Sequence, residues 1–222
     1  MKNSGKALKL YLKVIFNPIT TVFGVFIMGA LLIMAALSPE TPDSDDYMSM
    51  LGSVGFGQFG IAVFCLMGSV SGLRYKYYAA LPFAKTLLTV VPTVFAAACA
   101  LIYDCIAVTI AAFCWDEQAL SDILVIAPIN SFIICLAVAC IGKPKLEPLY
   151  LIPMLVMAME TVVLPHISFT AHGFGLPVVI SGFIGILIFI FGVALTLAIM
   201  DLWWKKCDHI YRGNYNVTIQ PN

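Results

Sequence analysis

Residues 176–206 read LPVVISGFIGILIFIFGVALTLAIMDLWWKK, and this stretch decides the fold class. The part from 176 to 202 is predominantly apolar and is longer than the roughly 20 residues that a helix needs to cross a bilayer. The WWKK segment at 203–206 places aromatic residues directly before cations, as at the cytoplasmic end of a membrane span. The stretch therefore predicts a transmembrane helix that ends on the inner side.

The composition extends this interpretation to the whole chain. Of its 222 residues, 61% are hydrophobic and 11% are charged, whereas soluble domains have roughly 45–50% apolar and 25% charged residues. The length accommodates about six spans of about 20 residues with short connections, and leaves no room for a further soluble catalytic domain. We therefore expect a single all-α integral membrane domain over residues 1–222.

Charge is segregated along the chain, although the formal net charge is zero. All 12 Lys and Arg residues lie in the N-terminal stretch, in alternate loops or in the tail, and the intervening loops hold acids. Because cytoplasmic loops accumulate Lys and Arg, we expect a plasma-membrane protein with six spans and both termini in the cytoplasm. The predicted spans are 20–37, 50–73, 87–114, 123–141, 148–164 and 176–202, followed by a cytoplasmic tail, 203–222.

The N-terminal segment 2–16 predicts an interfacial, or elbow, helix. Its lysines recur at spacings of three and four, which gives a helix a charged face that includes Lys6, Lys9 and Lys13. Such a helix lies flat on a membrane, with its apolar side chains buried and its cations near the lipid headgroups. Membrane lipid is therefore one expected partner.

In the second predicted span, glycines at 52, 60, 68 and 72 recur at multiples of four and share one helix face. Small residues at this spacing let helices approach closely. The pattern fits both a packing face within one subunit and a dimer interface.

A polar break between the second and third spans, RYKYYAALPFAKT at 74–86, carries positive charge and suits a short helix at the membrane surface. Its order is cations and tyrosines, then Leu-Pro, an apolar residue, a small residue and a cation. This order, after a second span, resembles the cytoplasmic loop of ABC-2-type permeases. In that family the loop is a coupling helix that docks on a separate ATPase. The resemblance assigns ATPase coupling to Tyr77, Tyr78, Leu81, Pro82, Phe83 and Lys85.

The resemblance implies the permease subunit of an ATP-driven exporter, paired with a second copy or a paralogue. The chain has no Gly-x-x-x-x-Gly-Lys-[Ser/Thr] loop, so ATP and Mg²⁺ are expected on the partner ATPase. No catalytic residue, metal site, bound cofactor or nucleic-acid partner is expected in the chain itself. With its small outer loops, it resembles the compact permeases that export amphipathic peptides, such as phenol-soluble modulins, or confer immunity to peptide antibiotics.

Two other classes remain open. The substrate-binding membrane subunit of a vitamin importer also has about six spans and uses a separate ATPase, but its first span carries a regular small-residue motif. The first span here has small residues without that regular pattern, at Gly24, Gly29, Ala30, Ala35 and Ala36. A membrane enzyme or a sensor is disfavoured because the sequence shows no set of catalytic groups at membrane depth.

Three polar residues within the predicted spans are candidates for a substrate path, namely Asp104, Glu160 and Asn130. A carboxylate in hydrocarbon costs about 2.5–3.5 kcal/mol on insertion scales, so the two acids should face other helices or water. The alternatives are an acid that fixes helix contacts through hydrogen bonds and an acid that couples to proton movement. For Asp104 the candidate structural partners include Tyr103, Thr109 and Asn130.

Overall fold

The structure is a computed structural model that describes residues 2–15, 18–37, 45–72, 81, 83–140, 146, 149, 151–156, 159 and 174–215. Within these ranges the chain consists of helices and short turns and contains no strand, which confirms the all-α class. The helices are α1 (Lys2–Ile15), α2 (Pro18–Leu37), α3 (Asp45–Gly72), α4 (Val91–Cys114), α5 (Glu117–Cys140) and α6 (Val178–Tyr215). A π-helical turn, Thr86–Val90, leads directly into α4.

Three stretches of the described chain are long and apolar enough to cross a membrane: Thr86–Cys114, Glu117–Cys140 and Val178–Lys206. Leu51–Cys65 is a shorter apolar helical segment within α3. Helix α2 covers the first predicted span, α3 covers residues 50–72 of the second, and residues 151–156 are helical within the fifth. The arrangement of six spans, and its orientation, stays a prediction.

Helices α4 and α5 are joined by a connection of two residues. Trp115 is extended, with φ −123° and ψ 168°, and thereby ends α4. The Asp116 carboxylate then accepts a hydrogen bond from the Ala119 backbone N–H at 2.8 Å, which satisfies a donor that the first turn of a helix leaves open. Because Asp116 caps the helix, α5 begins at Glu117, six residues before the span predicted from 123.

The π-helical turn before α4 has a local cause in Pro92. Proline lacks a backbone N–H, and its ring clashes with the carbonyl four residues earlier in a regular helix. The Val91 N–H bonds to the Thr86 carbonyl, so the backbone is wider by one residue just before the proline. Leu87 and Leu88, within this turn, are buried.

Helix α6 lies against α5 along a face of small residues. Pro128 cannot donate to the Leu124 carbonyl, and a Cβ added at Gly185 would overlap that carbonyl oxygen. A Cβ at Gly192 would lie 2.7 Å from the Phe132 side chain, which is too close for a side chain there. The two glycines therefore set the separation of α5 and α6, as small residues do between membrane helices.

Candidate functional site: a buried polar network and a loop junction

Helix α3 approaches α4 closely at Gly57. The Tyr103 hydroxyl lies against the backbone there and donates to the Val54 carbonyl at 3.3 Å, and a Cβ at Gly57 would overlap it. This position is not among the glycines of the pattern at 52, 60, 68 and 72. Among the described residues, nothing lies within 4 Å of a Cβ added at Gly52, and Gly60 faces Met28 of α2.

The next residues in the sequence, Gln58 and Asp104, also meet between α3 and α4. Gln58 Nε2 donates to Asp104 Oδ1 at 2.6 Å and to the Ala127 carbonyl at 3.0 Å. Asn130 Nδ2 donates to Gln58 Oε1 at 2.8 Å, and Ser131 Oγ donates to Asp104 Oδ2 at 2.6 Å. We call these four side chains, Gln58, Asp104, Asn130 and Ser131, the buried network.

The buried network is closed to solvent. Gln58, Asn130 and Ser131 are 0% exposed and Asp104 is 6% exposed. Hydrogen bonds in such a low-dielectric interior polarise one another, so the chain Asn130–Gln58–Asp104–Ser131 joins α3, α4 and α5 cooperatively. In this conformation Asp104 and Asn130 lie within a helix contact and not on an open surface.

Two features of the buried network stand out among the described residues. The Asp104 carboxylate accepts hydrogen bonds from neutral groups, and no Lys or Arg side chain in the described ranges forms an ion pair with it. Asn130 Oδ1 is buried and accepts no hydrogen bond from any of the described residues. A buried acceptor without a donor costs free energy.

A second group of contacts holds the end of the 74–86 loop. Lys85 Nζ lies 2.5 Å from Asp201 Oδ1 on α6, and Lys205 Nζ lies 2.7 Å from Asp201 Oδ2. Leu81 packs with Ala84, Leu88, Met200 and Trp203. We call the described end of the loop, Leu81, Phe83 and Lys85, together with these partners, the loop junction.

The loop junction also includes α1. Leu81 and Phe83, both half-buried, pack against a cluster that contains Ala7 and Tyr11 of α1 together with Leu87 and Val91. Tyr11 is 0% exposed, and its ring lies edge-on to Phe95 at a centroid distance of 5.5 Å. The apolar face of α1 is therefore buried against the beginning of α4.

The lysine face of α1 points away from this cluster. Lys6, Lys9 and Lys13 are all exposed, whereas Ala7 and Tyr11 between them are buried. The exposed lysines agree with the predicted charged face, although the apolar Leu8 is exposed as well. Whether the exposed face meets lipid stays a prediction.

The structure brings together only some of the residues singled out in the sequence. Asp104 and Asn130 join the same network, linked through Gln58. Glu160, Tyr77, Tyr78 and Pro82 lie outside the described residues. Thr109 bonds to the carbonyl of Cys105 on its own helix, and Tyr103 bonds to α3, so neither is a hydrogen-bond partner of Asp104.

Sequence reasoning missed Gln58, Ser131 and Asp201. A usable signal existed for Gln58, because it is the one side-chain amide among the apolar residues of 50–73. Ser131 and Asp201 carried no comparable signal, since serine is common in membrane helices and Asp201 borders the aromatic and basic end of its span.

The buried network is a polar contact between three helices. It offers one carboxylate and several neutral oxygens, and no histidine belongs to it. Among the described residues no three His, Cys, Asp or Glu side chains gather to hold a metal ion.

In the comparisons with known proteins, no protein-family model, no curated protein and no solved structure matches the chain.

Proposed function

We propose that the chain is the permease subunit of an ATP-driven exporter of the ABC-2 kind. It has six spans, with both termini in the cytoplasm, and pairs with a second copy or a paralogue in the plasma membrane. A separate ATPase, which binds ATP and Mg²⁺, docks on the 74–86 loop. The cargo is an amphipathic or hydrophobic molecule such as a peptide.

The observation that carries this proposal is the loop junction. The end of the 74–86 loop is attached to α6 through Lys85 and Asp201, and to α1 through the cluster around Tyr11. It continues without a break through the π-helical turn into α4. A displacement of the loop would therefore move parts of three helices together.

Such attachment is what a coupling element requires. Rearrangements of packed helices occur as shifts of whole elements, because packed interfaces do not deform continuously. The ion pair alone is weak, since exposed pairs contribute about 0–1 kcal/mol. The apolar cluster under Leu81 and Phe83 supplies the firmer connection, and a docked ATPase would act on it from the cytoplasmic side.

The exposed apolar face of α6 favours a partner within the membrane. Its large apolar side chains are highly exposed, and Val179, Phe183, Phe191 and Leu202 are between 57% and 83% exposed. Exposure of this apolar surface to water would cost free energy, so we expect lipid and a second permease to cover it. The small residues of α6 are already used against α5.

The test is site-specific photo-crosslinking from position 83 in native membranes. A photoreactive phenylalanine analogue there should crosslink to a polypeptide that carries a Walker A motif. The same analogue at Phe113, which is 85% exposed at the opposite end of α4, should not. Phe83→Ala should lower ATPase recovery and transport, whereas Phe113→Ala, the matched control, should leave both unchanged.

Folding is monitored separately, by gel filtration and thermal unfolding of each variant. Unchanged ATPase recovery and transport in a well-folded Phe83→Ala variant would contradict the proposal. A specific rise in melting temperature with a vitamin, without dependence on position 83, would favour the importer subunit instead.

A further inference from the structure

We infer that Cys65 on α3 and Cys99 on α4 are a pair of thiols that a membrane-soluble hydroperoxide converts to a disulfide. The inference does not depend on the exporter proposal, because it concerns one contact between two helices. It rests on three observations: the two thiols are hydrogen-bonded to each other, the helices around them are closely packed, and one of the two thiols lies partly at the surface.

The two sulfur atoms are already in contact. The side chains of Cys65 and Cys99 share a hydrogen bond, and both residues are free thiols. A disulfide has an S–S bond of about 2.0 Å and is confined to cysteines whose side chains face each other. Hydrogen-bonded thiols meet the second condition, so a short further approach of the two sulfurs is enough to form the bond.

The pair extends the helix contact that holds the buried network. Cys65 lies seven residues after Gln58, which is about two turns further along the same face of α3. Cys99 lies five residues before Asp104 on α4, so the two helices run antiparallel along this contact. The alanines near the pair in sequence are 0% exposed, namely Ala62, Ala96 and Ala100. Small residues let membrane helices approach closely, which keeps the two thiols together.

The two thiols differ in exposure. Cys65 is 0% exposed, whereas Cys99 is partly exposed. Ile102, three residues after Cys99 on the same face, is 63% exposed, and the segment Thr86–Cys114 is long and apolar enough to cross a membrane. This face therefore suits contact with lipid, and an oxidant that reaches Cys99 there has to dissolve in hydrocarbon. Organic hydroperoxides, including those of lipids, have this property.

The exposure sets the order of the chemical steps. The Cys99 sulfur attacks the terminal oxygen of the hydroperoxide, the O–O bond breaks, and the thiol proton leaves with the alkoxide as an alcohol. The Cys65 sulfur then attacks the resulting sulfenic acid at the Cys99 sulfur. The S–S bond forms, the S–O bond breaks, and the hydroxyl leaves with the Cys65 proton as water. The two sulfurs lose two electrons in total, and the peroxide bond takes them up.

The disulfide would join α3 to α4 near the beginning of α4. Cys99 lies about two turns after Val91, the first residue of α4, and the π-helical turn connects that residue to the loop junction. Oxidation would thus restrain any movement of α4 against α3. Because a thiol reductant reopens a disulfide, the restraint would be reversible.

The test uses the purified full-length chain in lipid nanodiscs that hold one chain each. The discs are treated with cumene hydroperoxide, free thiols are counted with a maleimide after denaturation, and linked peptides are mapped by mass spectrometry without reduction. The chain has seven cysteines, so one disulfide, which consumes two thiols, should lower the count from seven to five. The linked peptides should join Cys65 to Cys99, and a reductant should restore all seven thiols.

Three variants separate the two roles. Cys65→Ser should form no disulfide and should accumulate sulfenic acid at position 99, which dimedone traps. Cys99→Ser should form neither the disulfide nor the dimedone adduct. Cys105→Ser, which removes an exposed thiol of the same helix, is the matched control and should form the disulfide like the unmodified chain. Gel filtration monitors the folding of each variant, and the mapping in the unmodified chain does not depend on any of them.

A treated, unmodified chain without the Cys65–Cys99 peptide would overturn the inference. A link from Cys65 to Cys135, which is also 0% exposed and packs in the same core cluster, would overturn it as well. Oxidation of Cys99 that stops at a sulfinic or sulfonic acid would reject Cys65 as its partner. If hydrogen peroxide at the same concentration formed the disulfide faster than cumene hydroperoxide, the assignment to a membrane-soluble oxidant would be wrong.

Discussion

Gln58 on α3 and Asp104 on α4, 46 residues apart in the sequence, are joined by a buried hydrogen bond of 2.6 Å. Gln58 uses both amide hydrogens and its oxygen, since it also bonds to the Ala127 carbonyl and to Asn130. It is therefore the central member of the buried network and joins α3 to both α4 and α5, while Ser131 bonds directly to Asp104.

Replacement of Gln58 by leucine should destabilise the chain strongly. It would leave Asp104 Oδ1, Asn130 Nδ2 and the Ala127 carbonyl without this partner, at about 1–3 kcal/mol for each buried group left unpaired. Gln118→Leu, at a partly exposed position in the first turn of α5, is the matched control. The measurement is the midpoint of unfolding in an SDS titration, and equal midpoints for both variants would contradict this account.

Gly57→Ala should be harmful, although alanine is the better helix former. An added methyl group at Gly57 would overlap the Tyr103 hydroxyl, whereas one at Gly52 meets nothing within 4 Å. Gly52→Ala should therefore raise stability by up to about 1 kcal/mol through helix propensity. Adding Tyr103→Phe should recover part of the loss at Gly57, which a double-mutant cycle in thermal unfolding would detect. If Tyr103→Phe recovered no stability, the loss in Gly57→Ala would not come from overlap with the Tyr103 hydroxyl.

The contact between α5 and α6 should depend on Gly185. A methyl group there would overlap the Leu124 carbonyl oxygen, while at Gly182 the nearest atom, Leu124 Cδ1, is 3.9 Å away. We expect Gly185→Ala to lower the melting temperature, at a cost typical of overpacking, about 1–3 kcal/mol. Gly182→Ala should be tolerated. The same effect from both substitutions would mean that helix propensity, not packing, decides.

The two faces of α1 should respond to different measurements. Replacement of Lys6, Lys9 and Lys13 by glutamate removes no internal contact, because all three are exposed. It should weaken association with anionic lipid by about 1 kcal/mol per cation, and leave the melting temperature in neutral detergent unchanged. Tyr11→Ala should do the reverse and cost about 3–5 kcal/mol of stability, as for other large buried aromatics. A loss of stability in the glutamate variant would contradict the assignment of the three lysines to an exposed face without internal contacts.

The predicted topology can be tested by cysteine labelling. In a chain from which the native cysteines have been removed, Asp208→Cys should react with an impermeant thiol reagent only after the membrane is opened. Gln118→Cys, in the first turn of α5 beside its connection to α4, should react in intact cells because acidic loops are predicted outside. Labelling of position 208 from outside would disprove cytoplasmic termini.

Hydropathy determined the class of the molecule. The apolar runs near 87–114, 123–141 and 176–202 were long enough to predict spans, and the structure has helices of sufficient length and apolarity in each. The amphipathic spacing of Lys6, Lys9 and Lys13 likewise predicted which face of α1 stays exposed. These properties are local, because they depend on composition and on the 3.6-residue period of a single helix.

The tertiary structure decided which polar groups meet. The partners of Asp104 depend on how α3, α4 and α5 are rotated about their axes, and hydropathy does not encode that rotation. Gly57 allows Tyr103 to approach α3, and this contact brings Gln58 opposite Asp104. The buried network thus exists because one glycine lacks a side chain at the point where two helices touch, a property that only their packing reveals.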